Sequence, residues 1–148
     1  MSEPNYTNDG IYIVRALLQH LNSWSEKPCK INLEAFDKNA TSMMMQQLSG
    51  AVKKREYVNG AYIGALPFAV YIRVTGADTA NKLDATKALN DLADWLETAP
   101  VPQLGGNRRV IKIEMTALPS LFERLQDGTE DYQAIFNLDY KQGGQSHA

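Results

Sequence analysis

The sequence predicts an α+β fold: a single domain with a mainly antiparallel sheet of about four to five strands and two main helices packed on one face. Three observations predict it. Leu66 to Thr98 reads as strand, turn and long helix, with Phe68, Val70, Ile72 and Val74 on one side of the extended part and Ala69, Tyr71 and Arg73 on the other. Asn59-Gly60 is a strong hairpin signal, because both residues accept positive φ. Asp131 to Lys141 alternates cleanly, Tyr132, Ala134, Phe136, Leu138 and Tyr140 against Gln133, Ile135, Asn137 and Asp139.

The elements follow in order. Asn8 or Asp9 can cap a first helix running to about Trp24, with Ile11, Val14, Leu17, Leu18 and Leu21 as its apolar side and Arg15, Gln19 and Asn22 pointing away. Lys30 to Leu33 suits a short extended piece, and Asp37 to Thr41 is rich in turn formers. Ser42 to Leu48 reads as a strand with Met44, Gln46 and Leu48 sharing a face. Its three consecutive methionines are more simply core filler than a partner surface. Ala51 to Val58 and Ala61 to Ala65 flank the Asn59-Gly60 turn. Pro67, lacking an N–H, should interrupt or bend the return strand.

Gly76 ends the central strand, and Asp78 or Thr79 can cap the long helix. Its stripe is Ala85, Ala88, Leu89, Leu92, Trp95 and Leu96. Pro100 and Pro102 stop it. After a turn at Leu104 to Asn107, a strand from Arg109 to Ala117 should turn Ile111, Ile113 and Met115 inward. Pro119 to Gly128 reads as an irregular excursion in which Leu121, Phe122 and Leu125 pack as one helical turn, before the last strand. The domain takes in residues 1–148, with flexible tails at 1–7 and 142–148.

A domain of 148 residues can bury enough surface to fold without disulfides or a structural metal. Fifteen Lys and Arg against seventeen Asp and Glu give a net charge of −2, which argues against a dedicated nucleic-acid binder. Cys29 is the sole cysteine, so no internal disulfide forms. The polar N-terminus has no secretory layout and no run is long enough for a membrane span, so a reducing cytoplasm is the expected setting.

Chemistry is scarce. His20 and His147 stand at opposite ends and form no spaced ligand set with Cys29. Lys27 and Lys30 flank Cys29, but no base accompanies it, which makes it a structural cysteine. The pairs Asp91 with Asp94 and Glu123 with Asp127 suit solvated helix faces better than an acid–base dyad. Gly60 and Gly64, like Gly105 and Gly106, are turn glycines without a phosphate-loop lysine. No catalytic, cofactor-binding or metal-ligating residue is assigned. The basic spots Lys53-Lys54-Arg55 and Arg108-Arg109 read either as strand-end protection against stray pairing or as contact with an acidic neighbour or passing DNA.

Taken together, Tyr57-Val58-Asn59-Gly60, Leu66-Pro67-Phe68, Val70 to Val74, Leu89 to Leu96, Ile111 to Glu114, Asp127-Gly128 and Tyr132 to Tyr140 resemble, in order and spacing, the bacteriophage minor capsid and tail-terminator (tail-completion) proteins. The resemblance runs from the first helix to Tyr140. It implies a non-enzymatic virion part that assembles into a ring, commonly a hexamer, at the tail terminus or head–tail joint. Such a part is assembled in the bacterial host cytoplasm and meets other tail or head-connector proteins. A ring interface is heterologous and needs two different, complementary surfaces. The expected candidates are edge strands at Ser42–Leu48 and Asp131–Lys141 and the hairpin Lys53–Tyr62, with Lys53, Lys54, Arg55, Tyr57, Arg108 and Arg109 as self-association residues. The alternative is a small-ligand or regulatory binding module in which Trp95, Tyr71 and Tyr62 line a pocket.

Overall fold

The computed structural model describes residues 9–39, 41–48, 52–75 and 79–143. Its elements are α1 (Asp9–Asn22), β1 (Ile31–Leu33), β2 (Thr41–Gln47), β3 (Val52–Glu56), β4 (Tyr62–Val74), α2 (Thr79–Thr98), β5 (Arg108–Arg124) and β6 (Glu130–Gln142). The six strands form one sheet in the order β1-β2-β4-β6-β5, and β3 pairs with β4 beyond the end of β2. Only β1 with β2 is parallel; every other pair is antiparallel. The α+β class predicted from the sequence is the observed one.

The two 13-residue strands β4 and β6 form the spine, paired residue for residue from Tyr62–Gln142 to Val74–Glu130. Their even-numbered residues make the face that α1 and α2 cover. Leu66 lies opposite Leu138, and Phe68 stacks on Phe136 with ring centroids 5.3 Å apart. Leu89, Leu92, Ala93 and Leu96 of α2 and Ile13, Leu17 and Leu21 of α1 close the same core. Each large side chain so buried contributes about 1.5–3 kcal/mol of transfer free energy.

Pairing with β4 also fixes the methionines. Met43 stands opposite Ile72 and Met45 opposite Val70, so both enter the core, while Met44 turns to the helix-free face. Met44 and Gln46 share a face, as the alternation predicts, and the register against β4 makes it the face turned away from the helices. Ile11, predicted to be apolar-side, is 62% exposed, because α1 is rolled so that Asp9, Ile13, Val14, Leu17 and Leu21 face inward. Asn22, expected to point away, binds the backbone of Ile31 through both amide atoms at 2.9 Å and so docks β1 against α1.

Pro67 does not interrupt β4. Its carbonyl accepts a bond from Leu48 N–H at 3.0 Å, so its nitrogen faces the point where β2 ends and β3 has not begun. No ladder bond is lost there.

Beyond α2 the prediction needs larger corrections. β5 does not stop at Ala117 but continues to Arg124, so the helical turn expected around Leu121, Phe122 and Leu125 is absent. Four register shifts, one of them spanning Pro119, let the 17-residue β5 follow the shorter β6. The first leaves Ile111 as the extra residue, 47% exposed, and turns Val110 to the core in its place, while Ile113 faces inward as expected. β6 is therefore interior, as is β2, and the edges expected at Ser42–Leu48 and Asp131–Lys141 belong instead to β1 and β5.

Of the predicted tails, Gln142 closes β6 and Gly143 donates its N–H to Asn107 O at 2.9 Å; the remainder, like residues 1–7, lies outside the described residues. The same holds for the caps proposed at Asn8 and Asp78.

Candidate functional site

Among the described residues three gatherings of polar side chains bear on function, and they differ in kind. The first is a buried knot where α1 begins. Asp9 is fully buried, and its carboxylate accepts bonds from Tyr62 OH at 2.5 Å, Tyr140 OH at 2.7 Å and Arg108 Nε at 2.9 Å, with Arg108 Nη2 2.8 Å away. A carboxylate at a helix N-terminus also meets the positive end of the helix dipole. Burial and the bond to Asp9 push both phenols above their ordinary range, so they stay protonated donors. Gly64, read from sequence as a turn glycine, sits in β4 opposite Tyr140; a Cβ there would strike the Tyr140 ring. Arg108, proposed for self-association, is spent on this knot, its side chain only 14% exposed.

The second place is a row of cations on the helix-free face at the same end of the molecule. Arg55 pairs with Ile63, Ile63 with Lys141, and Lys141 with Arg109, which aligns three cations across four strands. Like charges directly opposite one another, as Lys141 and Arg109 are, destabilise a sheet. Tyr57 lies beneath two of the three, its ring 5.6 Å from the Arg55 guanidinium and 5.4 Å from Lys141 Nζ. Asn107, Arg108, Arg109, Lys141 and Gly143 line a cleft of about 370 Å³ beside the row, with no carboxylate among them. The register shift in β3 brings Lys54 to buried Asp139 at 3.4 Å, and Lys53 pairs with Glu56 at 3.4 Å. Lys141 went unassigned in the sequence because nothing local shows that the end of β6 lies between β3 and β5.

The third place is a groove where the C-terminal end of α1 meets α2. Trp24, Ser25, Glu26, Lys87, Asp91, Asp94, Trp95 and Thr98 line about 480 Å³. Trp95 stacks on His20 at 4.7 Å and lies 6.2 Å from Trp24. Burial holds His20 below the ordinary histidine range, which favours the neutral ring. Lys87 Nζ reaches Asp91 at 2.6 Å and leaves Glu26 and Asp94 as the groove's excess negative charge. No basic residue occupies the last turn of α2, where the helix dipole is negative.

Other predicted residues fall elsewhere. Trp95, Tyr71 and Tyr62 do not share a pocket: Tyr62 is in the Asp9 knot, and Tyr71 accepts a bond from Gln133 Nε2 at 2.8 Å on the opposite face, edge-on to Phe122. Cys29 is half-buried, and burial with Asp37 nearby raises its thiol pKa, so it carries no activated thiolate. Glu123 stands opposite Asp131 on β5, not on a helix. Asp127 holds the β5–β6 turn through Thr129 N–H at 2.9 Å, and that bond lowers its pKa. Among the described residues no group of three or more His, Cys, Asp or Glu could hold a metal ion, and no helix is long and apolar enough to cross a membrane.

No family model matches this chain, and no curated protein matches it. Its fold is similar to that of a chain in a solved structure described as the virion of a native gene transfer agent particle. That chain is 11% identical in sequence, with 85% of each chain covered and a TM-score of 0.53.

Proposed function

We propose that this protein is a non-enzymatic structural component of a tailed phage or prophage virion, acting at the tail terminus or head–tail joint by assembling into a ring of copies, a hexamer. The observation that carries the reading is the fold likeness to a virion chain over 85% of both chains. The sequence resemblance to the tail-terminator and minor capsid proteins points the same way. Charge segregation supports self-assembly: cations gather on the helix-free face at one end of α1 and carboxylates at the other. In this reading the protein is made in the bacterial cytoplasm, joins other tail or head-connector proteins, and passes DNA without reading its sequence.

Two experiments test it. Native mass spectrometry of the purified chain should show a closed oligomer, with six copies as the expected mass. Electron microscopy of particles made without this protein should show tails of uncontrolled length or tails detached from heads. Normal particles together with a concentration-independent monomer would remove the reading.

A further inference from the structure

We propose that the cation row of one copy, Arg55, Lys141 and Arg109 around Tyr57, docks on the Trp24–Trp95 groove of a second copy. This rests on the self-assembly reading above and names the two surfaces it would use. Among the described residues neither surface is fully neutralised within its own molecule. Among the described residues the cleft beside the row is lined by no carboxylate, and the groove by Glu26, Asp91 and Asp94 against the single cation Lys87.

The two surfaces cannot meet within one chain. The row adjoins Arg108, which binds Asp9 at the start of α1, while Trp24 lies just past its end. Fourteen helical residues separate those ends by about 21 Å. The row also lies on the helix-free side of the sheet, whereas the groove is built from the helix layer. Back-to-front contact between copies brings them together, and it is heterologous, the type that builds rings when the rotation between copies closes. The Arg109–Lys141 repulsion and the unneutralised C-terminal end of α2 are both relieved by such a partner. Double-stranded DNA would suit the row as well, but it explains nothing about the groove.

The test uses the full chain in two charge-reversed forms, Arg109→Glu/Lys141→Glu and Asp91→Lys/Asp94→Lys, followed by sedimentation velocity. Each form alone should lose roughly tenfold or more in association constant, because like charges then face each other across the contact. Mixed one to one they should associate again, since every junction in an alternating ring is then complementary. Trp24 and Trp95 are the chain's only tryptophans and both line the groove. Acrylamide quenching of the unaltered protein should therefore fall as the oligomer forms, a readout that needs no variant.

Unchanged association of both variants, or quenching indifferent to assembly, overturns these surfaces and leaves the self-assembly reading standing. A wild-type chain that stays monomeric at every concentration overturns both. A labelled DNA duplex whose binding is lost in Arg109→Glu/Lys141→Glu, with self-association intact, assigns the row to nucleic acid and also overturns the proposal.

Discussion

The two ends of α1 show the same residue types put to opposite uses. At its start one carboxylate, Asp9, is wholly buried and takes bonds from two tyrosines and an arginine, so its charge is consumed within the fold. At its end Glu26 and Asp94 face an open groove floored by tryptophans, and their charge is left over. Burial decides the difference. A desolvated charge left without partners costs several kcal/mol of stability, whereas a solvated one costs little to leave for a neighbour. Charged residues of this protein are thus sorted into those that specify the fold and those available for contact.

Substitutions can break that contrast, beginning with the buried end. Asp9→Ala leaves Arg108 and two phenols without their acceptor and should destabilise the protein by about 3–5 kcal/mol in urea unfolding. Leu92→Ala, a cavity change under the same helix layer with no charge involved, should cost about 2–5 kcal/mol and serves as the apolar reference. Gly64→Ala forces the Tyr140 ring from its place over Asp9 and should cost about 1–3 kcal/mol.

Acid sharpens the contrast next. Arg124 at 2.7 Å, with Lys82 nearby, holds Glu130 below the ordinary value of 4.5. Its contribution is complete above pH 4.5 and disappears as pH falls through the lower folded value, so Glu130→Gln should flatten the loss of melting temperature below pH 4.5. The smallest effect belongs to the groove: Asp94→Asn should leave the melting temperature unchanged while altering the salt dependence of association. A large drop in stability there would abolish the distinction between the two ends.

Much of the architecture was legible in the chain because it rests on local signals. The β4 alternation, the Asn59-Gly60 turn and the α2 stripe are properties of short windows, and each element formed where its pattern lay. The failures share one cause. Ile111 was assigned inward by counting residues, but a bulge in β5 decided which side it faces, and which side the β2 methionines face was settled only by the register against β4. Pro119 was read as opening an irregular excursion, although a bulged edge strand tolerates it. Of the predicted contact residues, Arg55 and Arg109 fall in the cation row with Tyr57 beside them. Arg108 is drawn inward by the Asp9 carboxylate, and the 99-residue separation between them hid that pairing from the sequence.

The sequence by itself determined the class of fold, the positions of both helices and the apolar faces of β4 and β6, since hydrophobic periodicity acts over a few neighbouring residues. Only the tertiary structure decided which charges were spent and which remained. A carboxylate's role depends on what distant segments bring to within 3 Å of it and on how much water they exclude. Asp9 and Asp94 look alike in the chain, and packing alone made one a structural anchor and the other a surface.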